Sequence, residues 1–148
     1  MTNRKLVNIH VLGITDRDGE REEIETVSDG LMETETETGR VRLFYKEISE
    51  NEGEELNVSV LFVFDPSGNA REGRILRSGI VKSEMLFIGD SETECIYRTP
   101  LGELGFEILT TSIDVSLNEN GLKARLTYKL SSGGQLLSDA EVRIEANG

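Results

Sequence analysis

Leu122-Lys123-Ala124-Arg125-Leu126-Thr127-Tyr128-Lys129-Leu130 alternates apolar and polar side chains without interruption. A β-strand sends successive side chains to opposite faces, so this run puts Leu122, Ala124, Leu126, Tyr128 and Leu130 on one face and Lys123, Arg125, Thr127 and Lys129 on the other. Just before it stands Asn118-Glu119-Asn120-Gly121, which ends in the Asn-Gly pair that best accommodates positive φ in a hairpin turn. Just after it, Ser131-Ser132-Gly133-Gly134 supplies a second turn, and Ala140, Val142 and Ile144 make a last strand. Strand, turn, strand is the unit that the rest of the chain repeats.

Towards the N-terminus, Leu104 to Leu117 is long and changes parity. Leu104, Phe106 and Ile108 are even whereas Ile113, Val115 and Leu117 are odd, so a bulge at Thr110 and Thr111 reconciles the halves. Thr93 to Thr99 is a strand closed by Pro100 and Gly102, and Arg74 to Ser78 and Lys82 to Ile88 are shorter strands joined near Gly79. Leu56, Val58, Val60, Phe62 and Phe64 share one face, followed by the tight-turn residues Asp65-Pro66-Ser67-Gly68-Asn69. Val41, Leu43 and Tyr45 alternate with Arg40, Arg42 and Lys46. Leu6 to Ile14 forms the first strand, broken at Asp16-Arg17-Asp18-Gly19, and Glu22 to Thr34 is a longer polar strand in which Gly30 reads as a bulge. Glu33-Thr34-Glu35-Thr36-Glu37-Thr38-Gly39 reads as a solvated hairpin end. No 3.6-residue apolar stripe is sustained, and only Leu136 to Asp139 leaves room for a short turn of helix. About ten strand segments with no required helix point to an all-β antiparallel barrel or sandwich.

The 148 residues suit one domain spanning 1–148, long enough to bury a core without disulfides or metal. With 36% apolar and 30% charged residues the chain is polar but not of disordered composition. Sixteen Lys and Arg stand against 28 Asp and Glu, and the formal net charge of −12 argues against nucleic acid and anionic membranes as partners. A lone cysteine, Cys95, and the absence of an apolar signal core after Met1 lead us to expect a cytoplasmic protein. No apolar run approaches the roughly 20 residues a membrane helix needs.

Several short motifs occur together: Leu43-Phe44-Tyr45-Lys46-Glu47, Leu76-Arg77-Ser78-Gly79, Met85-Leu86-Phe87, Tyr97-Arg98-Thr99-Pro100-Leu101-Gly102, Thr110, Ile113 and Tyr128-Lys129-Leu130. In this order and approximate spacing they resemble the bacterial YwiB-like family, a domain of unknown function. The resemblance covers roughly residues 30 to 145. It implies a calycin-like up-and-down barrel of about eight to ten strands, similar in architecture to lipocalins and fatty-acid-binding proteins. It implies no established activity. This chain departs from the family around Asp65 to Gly73, where extra residues read as a longer hairpin.

Catalytic and metal chemistry find little support. The one histidine, His10, lies mid-strand opposite the apolar face of Val7, Ile9 and Val11, which suits a surface residue better than a general base. Cys95 has no Cys or His beside it in sequence and reads as a small, partly buried thiol. Structural zinc wants four Cys or His ligands and the chain has two. Asp16, Asp18 and Glu20 lack the closing acidic residue of a calcium loop, and Glu47, Glu50, Glu52, Glu54 and Glu55 read as a solvated loop. We therefore expect no enzyme, no metal and no cofactor.

One polar set shares parity with the core. Tyr45 and Glu47 continue the face of Val41 and Leu43, Arg77 that of Ile75, and Tyr128 lies in the apolar file of the opening stretch. If these point inwards, Glu47 and Arg77 must pair, because an unpaired ion in an apolar interior is strongly disfavoured. Two readings follow. In one, Arg77 and Glu47, with Tyr45, Tyr97 and Tyr128 along the walls, line a cavity that takes a small hydrophobic or amphipathic ligand. In the other, the same side chains plug the barrel, and the protein is a structural or interaction module, a homodimer included, that uses an exposed face or strand edge. Small barrels are often filled by their own side chains, which favours the second.

Overall fold

The computed structural model describes residues 2–48 and 53–148. Glu50 and Glu52 of the acidic cluster lie outside the described residues. Ten strands follow one another: β1 (Thr2–Arg17), β2 (Glu20–Glu35), β3 (Arg40–Ile48), β4 (Glu55–Phe64), β5 (Ala70–Ser78), β6 (Lys82–Ile88), β7 (Glu92–Thr99), β8 (Gly102–Asn118), β9 (Gly121–Ser132) and β10 (Gln135–Asn147). Each pairs antiparallel with its neighbour in sequence, and β1 pairs with β10 to close the barrel. The fold is all-β and up-and-down, as the alternation and the family resemblance lead one to expect.

The apolar file of every strand turns inwards. Ile9, Leu43, Val60, Phe62, Phe87, Ile108, Leu126 and Ile144 are wholly buried in one cluster. At roughly 1.5–3 kcal/mol for each fully buried large aliphatic or aromatic side chain, that cluster is what holds the sheet closed. The opposite file carries cross-strand ion pairs such as Arg4–Glu33, Arg74–Glu84 and Arg125–Glu141, which contribute little individually in water.

The turns follow from local chemistry. The Asp65 carboxylate accepts hydrogen bonds from the Ser67 and Asn69 amides at 3.0 and 3.1 Å and from the Ser67 hydroxyl, which shapes the β4–β5 tip. The parity break in β8 is a bulge at Thr111, since Thr110 pairs with Tyr128 and Ser112 with Thr127.

Three expectations need correction. Gly30 is not a bulge: the β1–β2 register runs unbroken from Thr2↔Glu35 to Arg17↔Glu20. A Cβ there would lie 2.4 Å from both the Ile9 side chain and the Phe44 carbonyl oxygen, so glycine serves close approach of β2 to β3 and to the core. Leu136 to Asp139 is not helical but part of β10, and a bulge at Leu137 interrupts its alternation. In the β8–β9 turn, Asn120 keeps a negative φ. There the Asn118 carboxamide oxygen accepts the Asn120 and Gly121 amides, both at 2.8 Å, and Gly121 is needed because a Cβ would meet the Ala146 carbonyl oxygen at 1.7 Å.

Closure is staggered. β2 pairs along its whole length with β1 but with β3 only over Leu31–Glu35, and β1 pairs with β10 only over Asn8–Asp16. The β1–β2 hairpin thus joins β3 through one half and β10 through the other. Among the described residues, the outer edge of β2 from Glu20 to Gly30 and the facing edge of β3 from Tyr45 to Ile48 have no ladder partner.

Candidate binding cleft and interior network

The inward polar set largely assembles. The Arg77 Nε donates to Glu47 Oε1 at 2.9 Å, and the two side chains keep 23% and 19% of their surface exposed. Arg77 Nη1 also approaches the Met85 sulfur at 3.9 Å. Burial opposes the guanidinium's charge, but Glu47, Tyr45 and Tyr128 outweigh it and hold the Arg77 pKa above its ordinary value. Burial pushes the Tyr45 phenol up to about 12, with the Arg77 charge pulling the other way and Glu47 adding to the rise. Tyr45 is therefore neutral at any physiological pH.

Tyr45, Val58, Arg77, Ser83 and Tyr97 form one cross-strand row through successive registers. Tyr97 lies two strands from Arg77 and is half-buried, and no hydrogen bond joins it to the network among the described residues. Tyr128 packs edge-to-face on Phe87 with centroids 5.1 Å apart, and burial raises its pKa. Tyr45, Glu47, Arg77 and Tyr128 thus belong to the interior, where Phe62, Phe87 and Met85 also lie.

The residues weighed for catalysis lie apart. His10 Nε2 sits 3.2 Å from Glu25 Oε1 on the outer surface. Cys95 is buried, and that burial raises its thiol pKa, the opposite of what a nucleophile needs. Among the described residues no three His, Cys, Asp or Glu side chains converge as metal ligands would.

A cleft of about 1330 Å³ opens where β2 and β3 part, and the inward-facing Val7, Tyr45, Val58 and Arg77 line it together with outward-facing side chains. Tyr45 and Arg77 border its inner side. On the outer face, Leu6, Leu31, Phe44, Ser59 and Leu76 stand in register across five strands and line it as a row that is apolar except at Ser59. Leu6 is 82% exposed and Leu76 37%. Sequence reasoning missed this row although a signal was there. Leu6-Val7, Leu31-Met32, Leu43-Phe44 and Ile75-Leu76 are apolar doublets in alternating strands, and a doublet sends one apolar side chain outwards.

Among curated proteins none matches this chain. Among solved structures it is similar to the crystal structure of the ywiB protein from Bacillus subtilis, with 24% sequence identity, a TM-score of 0.78, and coverage of 98% of this chain and 93% of that one. At that identity the likeness is one of fold. A family model described as "Domain of unknown function (DUF1934)" matches residues 9–144, nearly the whole barrel. With the inward-facing file, the ten-strand closure and that match in agreement, this chain belongs to the DUF1934 family of YwiB-like barrels.

Proposed function

We propose that this protein is a non-enzymatic binding module of the cytoplasm, whose barrel interior is structural and whose recognition surface is the cleft between β2 and β3. The observation that carries this reading is where the space lies. Large side chains such as Phe62 and Phe87 are wholly buried in the interior, and the cleft of about 1330 Å³ reaches from inward-facing Tyr45 and Arg77 to the surface beside outward-facing Leu6, Leu31, Phe44 and Leu76. A lone buried thiol suits a reducing compartment, and a net charge of −12 disfavours nucleic acid and anionic membranes as partners.

The competing reading, a small amphipathic ligand anchored on Arg77, draws support from the position of Arg77 and Tyr45 beside the cleft. Against it, the Arg77 charge is already met by Glu47, which a ligand carboxylate would have to displace. Native mass spectrometry of freshly purified protein separates the two. We expect the bare protein mass for the wild type and for Arg77→Met. A mass excess in the wild type that vanishes on denaturation and in Arg77→Met would overturn the proposal in favour of an anchored ligand.

A further inference from the structure

We propose that the uncovered edge of β2, from Glu20 to Asp29, receives an extended basic segment of a partner protein as an added strand. This edge reaches the cleft at Ser28 and Asp29, and the inference rests on the reading of the protein as a binding module. Among the described residues β2 pairs over this stretch on one side only, with β1, so its other side presents backbone N–H and C=O groups that a further strand can satisfy. Residues along it are open to solvent: Glu20 to Glu25 are all exposed, and Val27 is 61% exposed.

Side-chain chemistry selects the occupant. Glu20, Glu22, Glu23, Glu25 and Asp29 crowd the edge, and its single arginine, Arg21, is held by Glu23 at 2.8 Å. A second copy of this chain pairing edge to edge would set carboxylates against carboxylates, on top of the repulsion between two chains of net charge −12. A basic segment meets the opposite situation.

The parity of β2 refines the match. Glu23, Glu25, Val27 and Asp29 share the outer face of Leu31, while Ile24, Thr26 and Ser28 share the inner face of Met32. Lys or Arg is thus wanted on the outer face of the added strand and small apolar residues on the inner one.

The test uses the full chain and a fluorescein-labelled ten-residue peptide alternating Lys and Val, with a Glu-Val peptide as control. We expect the Lys-Val peptide to bind, to weaken several-fold between about 50 and 200 mM salt, and to slow hydrogen exchange of backbone amides within residues 20–29. Reversing Glu23 and Glu25 to Lys, both surface positions, should weaken it at least about tenfold. Binding with protection confined to other strands would overturn strand addition while leaving the binding-module reading in place. Equal binding of the Glu-Val peptide would overturn the basic partner. Protection of residues 20–29 that grows with protein concentration and without peptide would identify a second copy as the occupant instead. Failure of the Lys-Val peptide to bind would overturn the proposal itself.

Discussion

Arg77 holds a permanent charge inside an apolar barrel, and Glu47 makes that tolerable. Replacing either partner leaves the other charge partly sealed from water, so we expect Glu47→Gln and Arg77→Met each to cost about 1–3 kcal/mol in urea unfolding. Because both keep about a fifth of their side chains exposed, the full penalty of a sealed pair does not apply. The double variant should cost less than the two singles together by about 1 kcal/mol. Strict additivity would show that the pair contributes nothing as a pair. At this scale the sequence was legible through parity: Glu47 and Arg77 shared the register of core residues, and their pairing followed from charge balance. Tyr97 shared that parity as well, yet alternation fixes only the face on which a side chain starts and not where it ends.

Among the elements, the β8–β9 turn makes the sharpest demand. A Cβ on Gly121 would overlap the Ala146 carbonyl oxygen, and β10 could yield only by loosening its ladder to β1 and β9. We expect Gly121→Ala to destabilise by at least about 2 kcal/mol and to lower the Tm by at least about 5 °C in calorimetry. Gly105→Ala is the control, since a Cβ there meets nothing within 4 Å and should leave the Tm nearly unchanged. Strands, turns and the Thr111 bulge were readable because alternation and its breaks are local. Gly30 was misread because a glycine in a strand looks the same whether it relieves a bulge or admits a neighbour. Leu136 to Asp139 was ambiguous because a bulge disrupts period-2 order much as a helical turn would. The cleft escaped entirely, since no local pattern records where one strand outruns its partner.

The whole molecule has a pH response that follows from its interior. The Tyr45 phenol is raised from 10.0 to about 12 in the folded state by burial. Below pH 10 it is neutral folded and unfolded and its contribution is fully present. As pH rises from about 10 towards 12 the unfolded chain ionises first, and on the order of 2–3 kcal/mol of stability is lost. Urea midpoints measured at pH 9 and pH 11.5 should show this fall, and Tyr45→Phe should flatten it. An unchanged slope in Tyr45→Phe would assign the alkaline loss to other groups.

Barrel closure has a further consequence. The ladder that seals the cylinder joins Asn8 to Asn147, so the barrel's first strand waits for its tenth. Without β10 the barrel can be no more than an open sheet with two raw margins, and loop-closure entropy is repaid only when β10 pairs with β1. Until β10 arrives, the margin of β1 from Asn8 to Asp16 is open to any other strand, and the net negative charge of the chain opposes association there.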